Sequence, residues 1–257
     1  MAVSQSLTAL EATTVALAGV VAGGINAVLG SGTLVTFPVL IAYGYSPVVA
    51  NVSNNIGLVP GTIGGIIGYR RELDGQGVRA RTLALGSGAG AALGGTLLLT
   101  LPSRVFDSVV PVLILLACVL LALQPRLTRV VVGRRRADAR DVGAVSVAAT
   151  FLAGIYGGYF GAAQGIILVA VLGALVPDAL ARTTALKNVL AGVVNLVAAV
   201  LFVVVADVAW DAVALIGAGS AVGALVGANL GRRVPARILR PIFVAFGVAV
   251  AAFLILR

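Results

Sequence analysis

The stretch Gly30-Ser31-Gly32-Thr33 interrupts a run of apolar residues that is otherwise long enough to cross a bilayer. It follows Gly23, Gly24 and Asn26, and a short apolar piece from Leu34 to Tyr43 comes after it. Glycines beside hydroxyl side chains within hydrophobic sequence indicate a broken helix with free backbone amides at membrane depth. Such backbone is tolerated only where it is buried in protein or lines a watery cavity. We therefore predict that these amides bind a substrate.

The composition indicates a membrane protein. Of the 257 residues, 60% are hydrophobic and 11% are charged, and the mean hydropathy is +1.11, whereas soluble domains are about a quarter charged. A net charge of +9 would indicate nucleic-acid binding in a soluble protein. Here the arginines lie in short loops between hydrophobic segments, as the positive-inside rule requires. We predict a multi-pass protein of the plasma (inner) membrane that contacts anionic lipid and binds no nucleic acid.

Ten apolar segments are predicted to be helices, so the fold class is all-α. They cover residues 7–29, 33–44, 47–68, 79–101, 104–123, 142–161, 164–176, 178–206, 210–230 and 237–256. The segments 33–44 and 164–176 are too short to cross ~30 Å of hydrocarbon, which needs about 20 helical residues. We interpret them as half-helices or re-entrant pieces, and the sequence leaves open whether they span or return.

The chain is predicted to be a single transmembrane domain, 1–257, that contains two repeats, 7–123 and 142–257. A basic linker, 124–141, joins them and carries six arginines. Small residues recur at matching offsets of 133 and 135 residues: Gly86, Gly90 and Gly94 with Gly219, Gly223 and Gly227, and Gly19, Gly23 and Gly30 with Gly154, Gly158 and Gly165. Both glycine stripes are expected to let helices approach closely. Chance repetition in a sequence rich in Ala, Gly and Val is the alternative.

The loop charges predict that the two repeats are inverted. Loop 69–81 is net positive, whereas its counterpart in the second repeat carries Asp207 and Asp211 and no base. The next pair of loops reverses this pattern, because 231–240 holds four arginines. Since basic loops face the cytoplasm, 69–81, 124–141 and 231–240 are predicted to be inside and both termini outside. Inverted repeats with unwound helices are typical of secondary transporters, whose substrate site lies at the repeat interface.

Two break points, Gly30–Thr33 and Ala162–Gly165, would then meet near the pseudo-two-fold axis. Each precedes a half-helix and is expected to offer unpaired N–H groups and partial positive charge to an anion. The only lysine, Lys187, lies about ten residues into segment 178–206, at a depth of about 15 Å. A cation there indicates a functional site. The alternatives are a structural partner for backbone carbonyls and a shifted segment whose lysine snorkels outward.

Polar side chains are unusually dense in the two segments that follow the half-helices. A water-accessible site explains them, and polar contacts between helices are the alternative; Asn26 is either a cap or a ligand contact. The predicted substrate-binding residues are Asn26, Gly30, Ser31, Gly32, Thr33, Ser53, Asn54, Asn55, Gln164, Gly165, Thr183, Thr184, Lys187, Asn188 and Asn195. Asp178 and Arg182 are expected at the membrane edge.

Absent residue types narrow the chemistry. The chain contains no histidine and one cysteine, Cys118, which excludes His-based metal sites, Ser-His or Cys-His catalysis and a disulfide framework. No G-x-x-x-x-G-K-[ST] loop is present for ATP hydrolysis by that route. We therefore predict no enzymatic activity, no cofactor and no metal. A cation channel, which would need rings of carbonyls or carboxylates, and a non-transporting membrane scaffold are the competing hypotheses.

Nearly the whole chain resembles the sulfite exporter TauE/SafE family of membrane transporters. The resemblance rests on the glycine-rich run 22–34, on Phe37-Pro38-Val39-Leu40, on Ser46-Pro47 with Ala50, Ser53 and Asn54, and on Ala185-Leu186-Lys187-Asn188 with Asn195. It implies transport, expected to be export, of small sulfur-containing anions such as sulfite, sulfonates or sulfoacetate without ATP. Another small anion or an organic acid is the alternative substrate. Coupling through Lys187, passive transport and a homodimeric assembly are left open.

Overall fold

The computed structural model describes residues 7–133, 142–176, 178–230 and 236–256. Within these ranges the chain forms ten α-helices and one short 3-10 helix, Arg70–Leu73. The helices are α1 Ala9–Val28, α2 Thr33–Ala42, α3 Pro47–Gly68, α4 Gly77–Thr100, α5 Ser103–Gly133, α6 Ala144–Tyr159, α7 Gln164–Leu175, α8 Leu180–Val205, α9 Trp210–Leu230 and α10 Ala236–Leu256. The ten predicted helices are confirmed, and all their ends but one lie within two residues of the prediction.

The exception is the end of α5, which continues to Gly133. The predicted linker 124–141 therefore begins inside a helix, and the boundary placed at residue 123 is wrong. Arginine and leucine are good helix formers, so the change from apolar to basic residues there ends the hydrophobic segment without ending the helix. The rest of the predicted linker, 134–141, lies outside the described residues.

Five helices in the described part of the chain are long and apolar enough to cross a membrane. They are Ala9–Val28, Gly77–Thr100, Ser103–Leu127, Leu180–Val205 and Trp210–Gly227. Helix α3 is not among them although it has 22 residues, because asparagines and glycines lower its hydropathy. The chain is thus a multi-pass membrane protein, and its most polar long helix is one that the sequence assigns to the substrate site.

The short helices α2 and α7 turn back instead of crossing. Val142, just before α6, and Asp178, just after α7, line the same cavity, so the α6–α7 pair starts and ends at one face. Tyr45, just after α2, is close to the start of α1: burial raises the pKa of Tyr45, and the charges of Asp211 and Glu11 add to this shift. Both helix pairs therefore enter the molecule and return to the face where they began.

Helix packing joins the two halves of the chain reciprocally. Helix α1 packs along α9 as α6 packs along α4, α3 packs on α9 as α8 packs on α4, and α2 meets α10 as α7 meets α5. Helix α3 also packs on α8, and α5 on α10. Each pairing becomes another, or itself, when α1–α5 are exchanged with α6–α10. This reciprocity supports two related halves that are assembled into one body.

Glycines make the closest of these helix contacts possible. A Cβ atom on Gly90 would lie 2.1 Å from the carbonyl oxygen of Phe151, and one on Gly223 would lie 1.9 Å from that of Val20. Because no side chain fits at such distances, the backbones themselves are in contact. The close-approach role predicted for the glycine stripes is confirmed at these positions.

Aromatic rings fix the first short helix against the second break point. Phe37 of α2 meets Phe160, which follows α6, edge to face with ring centroids 5.3 Å apart. Phe106 of α5 packs on Phe160 at 6.1 Å. All three side chains are buried. Such pairs add about 0.5–1.5 kcal/mol beyond the area they bury, so they hold the two break points in a fixed relation.

Candidate substrate site

Both helix breaks use left-handed backbone to reverse the chain. Between α1 and α2, Gly30 has a φ of +74°. Between α6 and α7, Gly161 has a φ of +76° and Ala163 a φ of +58°. A left-handed conformation costs a residue with a Cβ about 1–2 kcal/mol, so the surrounding packing must hold Ala163 in place. Glycine at positions 30 and 161 avoids that cost.

The two breaks touch each other, which confirms that the break points meet. The Gly165 N–H donates to the Gly30 carbonyl at 3.1 Å. A Cβ on Gly30 would lie 2.4 Å from the Gly165 Cα, and the reverse distance is also 2.4 Å. Gly30 and Gly165 are equivalent positions of the two halves, so the chain meets its own counterpart here.

Most amides at the starts of the half-helices are already bonded. Gln164, Gly165 and Ile166 donate to the carbonyls of Gly161, Gly30 and Ala163, and Leu34 and Val35 donate to those of Ser31 and Gly32. The expectation of unpaired N–H groups is therefore wrong for these residues. A tight turn reverses the chain at each break and supplies acceptors that a clean helix start would lack. Binding groups must come mainly from side chains.

Lys187 is completely buried at the junction of the two breaks. Its Nζ donates to the Asn26 carbonyl at 3.0 Å and to the Ala27 carbonyl at 3.3 Å. Both carbonyls belong to the last turn of α1, where the helix dipole is negative. A Cβ on Gly165 would lie 3.0 Å from the Lys187 Cδ, so the lysine stem also passes the second break. Full burial rules out the outward-snorkelling alternative, whereas the carbonyl-partner alternative describes the contacts that are formed.

Each broken helix is capped at its C-terminal end by a helix of the other half. The Asn188 Nδ2 of α8 donates to the Ala27 carbonyl at 3.2 Å and to the Gly65 carbonyl at 3.4 Å. Reciprocally, the Asn51 Nδ2 of α3 donates to the Tyr159 carbonyl in the last turn of α6 at 2.9 Å. The cap of α1 therefore contains a cation and an amide, and that of α6 an amide. Asn51 was not in the predicted set, although it belongs to the same polar run of α3.

Two further polar contacts tie α3 to the site. The Asn54 Nδ2 donates to the Thr33 hydroxyl at 3.2 Å, and the Asn54 Oδ1 accepts from the Thr36 hydroxyl. The Asn55 Nδ2 donates to the Asn195 Oδ1 at 3.4 Å, which links the two halves. Thr36 is a residue that the sequence interpretation missed, because it lies within the apolar run after the break.

Some predicted residues are committed to local structure. The Ser53 hydroxyl accepts from the Ala209 N–H at 2.9 Å just before α9, and the Thr184 hydroxyl donates to the Leu180 carbonyl of its own helix at 2.8 Å. Asn26 contributes its carbonyl to Lys187. A Cβ on Gly32 would lie 2.6 Å from the Ala22 carbonyl oxygen, so Gly32 allows the break to close onto α1.

Several buried polar atoms have no hydrogen-bond partner among the described residues. They are the Ser31 Oγ, Asn51 Oδ1, Asn55 Oδ1, Gln164 Nε2 and Thr183 Oγ1. Leaving such an atom unsatisfied costs about 1–3 kcal/mol, and each one in a native fold indicates water, an ion or a functional role. Ser31, Gln164 and Thr183 can donate to a ligand. The break region therefore holds donors that no protein group occupies.

A profile of the family described as sulfite exporter TauE/SafE matches residues 15–254. The chain belongs to the sulfite exporter TauE/SafE family. It is 26% identical over 236 residues to the probable membrane transporter protein ORF9 of a Sinorhizobium species, covering 91% of this chain and 88% of that one. It is 27% identical over 239 residues to the probable membrane transporter protein YfcA of Escherichia coli K12, covering 91% and 86%. No solved structure matches the chain.

Membership in the TauE/SafE family, together with these relatives, makes this chain a membrane transporter, not an enzyme. The break region is the natural place to look for its substrate site, because it combines a buried cation with unpartnered donors near the middle of the chain's helix assembly. Nothing in the relatives' names identifies the transported molecule. The substrate must be inferred from the chemistry of the site and from the family's description.

Proposed function

We propose that this TauE/SafE protein is a secondary transporter that moves a small sulfur-containing anion across the plasma membrane, with export as the expected direction. Sulfite, sulfonates and sulfoacetate are the substrates in question. The observation that carries the proposal is the meeting of the two breaks around Lys187, with the donors of Ser31, Gln164 and Thr183 unpartnered beside them. An oxyanion needs a positive charge and several donors in place of its hydration shell.

Lys187 has donor capacity left for such an anion. An ammonium group carries three N–H donors, and two of them meet the carbonyls of Asn26 and Ala27. Each of those carbonyls has a second donor, the Gly30 N–H for Asn26 and the Asn188 amide for Ala27. The lysine can therefore turn from α1 toward an anion without leaving either carbonyl unbonded.

The proposed transport cycle uses two inverted repeats. The reciprocal packing of the halves supports a two-fold relation, and the opposite charges of corresponding loops support an inverted orientation. A body of this kind has two related conformations, one open to each side, with the site fixed between them. Because Lys187 is fully buried, the conformation described here is one in which the site is closed.

The same donors would accept a carboxylate, so an organic acid is the alternative substrate. Sulfite and sulfonates present three oxygens on sulfur, whereas a carboxylate presents two on carbon. The family's description favours the sulfur-containing anion. Competition between the two classes in one transport assay decides between them.

Purified protein in proteoliposomes is expected to take up labelled sulfite in a saturable way that needs no ATP. Protein-free liposomes and liposomes with the Lys187→Ala variant serve as controls. Excess unlabelled sulfoacetate is expected to compete, and excess acetate is expected to compete weakly. Strong competition by acetate would move the assignment to organic acids. Absence of flux for every anion tested would favour a non-transporting scaffold.

The Thr183→Val variant is expected to keep the stability of the wild type while its uptake falls about tenfold, the effect of one lost substrate hydrogen bond of about 1.5 kcal/mol. The Thr183 hydroxyl has no protein partner, and valine has nearly the same shape. Thr184→Val is the matched control, because the Thr184 hydroxyl bonds only to the carbonyl of Leu180. Uptake kinetics and thermal unfolding of both variants test this, and equal uptake in the two would remove Thr183 from the site.

A further inference from the structure

One carboxylate joins two arginines at the face where α4 and α8 begin. The Asp178 Oδ2 lies 3.0 Å from the Arg182 Nε and 3.3 Å from the Arg79 Nη1. Arg79 belongs to the first half of the chain, and Asp178 and Arg182 belong to the second. The side chains are 24% exposed at Arg79, 22% at Asp178 and 33% at Arg182, so water reaches them without surrounding them.

Two further hydrogen bonds cross between the halves at the same place. The Arg182 Nη1 donates to the Asp74 carbonyl at 2.9 Å, and the Gln76 Nε2 donates to the Arg182 carbonyl at 3.1 Å. The Gln76 amide also holds the Glu72 carbonyl at 2.8 Å, which fixes loop 70–76 in the shape that meets α8. Arg182 is thus bound to the first half through its side chain and through its backbone.

This cluster lies directly over the proposed site. Thr183, with its unpartnered hydroxyl, follows Arg182 in the chain, and Lys187 lies five residues further on, about 7.5 Å deeper along the helix. On the outer side of the cluster is a cavity of about 770 Å³ lined by Arg79, Thr82, Asp178 and Arg182 among other residues. The ion pairs therefore separate this open cavity from the closed polar interior.

The Asp178 carboxylate is ionised at neutral pH. Burial raises the pKa of Asp178, but the hydrogen bonds from Arg182 and the Ala179 N–H, with the charges of Arg182 and Arg79, hold it below its ordinary value. The first half has no equivalent, because the positions 131 residues earlier are Pro47 and Asn51. The arrangement therefore acts on one face of the protein only.

We propose that Asp178 is a gating residue, which closes the substrate site on this face by joining Arg79 of α4 to Arg182 of α8. Parting of these ion pairs separates the two halves here and connects the cavity to Thr183. The inference rests on the proposed function for what passes through the gate. The gate itself is a property of helix packing and is measurable without any substrate.

The test measures water access to Thr183 with a chemical probe. In a Cys118→Ala background, Thr183→Cys supplies the single thiol, and the probe is a membrane-impermeant methanethiosulfonate carrying a trimethylammonium group, added to each side of oriented vesicles in turn. Adding Asp178→Asn is expected to raise the rate of modification from the face of loop 70–76 about fivefold, the factor that corresponds to about 1 kcal/mol for one partly exposed ion pair. Asp178→Glu, which keeps the charge, is expected to remain near the starting rate.

The control is Asp211→Asn, which removes the same charge at the start of α9 near the opposite face, close to Tyr45 and Glu11. It is expected to leave the rate within about twofold, because it breaks no contact of the Asp178 cluster. Equal rates in Asp178→Asn and Asp211→Asn, or an increase from the opposite side only, would overturn the gate. If Asp178→Asn does not purify as a folded protein, Arg182→Gln carries the same expectation and the same contrary result. Since labelling needs no transport, failure of the gate and failure of the transport assignment are separate outcomes.

Discussion

Gly30→Ala is expected to lose most of its folded protein. The φ of +74° at residue 30 costs alanine about 1–2 kcal/mol. The new Cβ would also lie 2.4 Å from the Gly165 Cα, and relieving such an overlap costs about 1–3 kcal/mol or more. The clash is with backbone, which no rotamer change can relieve. The sum of about 3–5 kcal/mol should lower the apparent melting temperature by on the order of 10 °C, as measured by size-exclusion chromatography after heating in detergent.

Gly44→Ala is the matched control for this effect. Gly44 has a φ of +84°, and nothing lies within 4 Å of where its Cβ would be. It therefore carries the left-handed strain of Gly30 without the contact, and we expect it to lose about 1–2 kcal/mol. If both variants are destabilised equally, the contact between the two breaks contributes little and strain alone explains the loss. A Gly30→Ala protein as stable as the wild type would contradict the close approach of Gly30 and Gly165.

The helices and the meeting of the breaks could be predicted because they depend on local patterns. Hydrophobic length determines where a membrane helix forms, and short segments beside glycines indicate a break. The offset of 135 residues between Gly30 and Gly165 identified them as equivalent positions, and equivalent positions near a two-fold axis come together. The end of α5 was missed because hydropathy reports where lipid ends and does not report where a helix ends.

The bonding within the site could not be predicted, since it depends on contacts between distant parts of the chain. Ser53 and Thr183 are both hydroxyl residues on polar helices, yet one accepts from Ala209 across the fold and the other has no partner. Likewise, Arg182 was expected only to lie at the membrane edge. Its bond to the Asp74 carbonyl spans 108 residues of sequence. Nothing local to these residues distinguishes a structural polar group from one left for a ligand.

Lys187→Met is expected to abolish anion uptake while leaving the protein as stable as the wild type or more stable. Burying a cation is costly, and replacing a buried charge by an apolar side chain of similar volume is often neutral or stabilising. The carbonyls of Asn26 and Ala27 keep their second donors, from Gly30 and Asn188. An uptake loss of about a hundredfold would correspond to about 3 kcal/mol of lost charge-assisted bonding to the substrate.

Lys187→Gln separates the charge of the lysine from its hydrogen bonds. The amide can still donate to the carbonyls of α1, but it carries no charge for an anion. Uptake lost in both variants, with thermal stability kept in both, would assign Lys187 to the substrate. Uptake kept in Lys187→Gln alone would show that donation to the carbonyls of Asn26 and Ala27 is what matters. A strongly destabilised Lys187→Met whose folded fraction transports normally would make the lysine a helix cap, and the anion site would then have to be built from the neutral donors of Ser31, Gln164 and Thr183 alone.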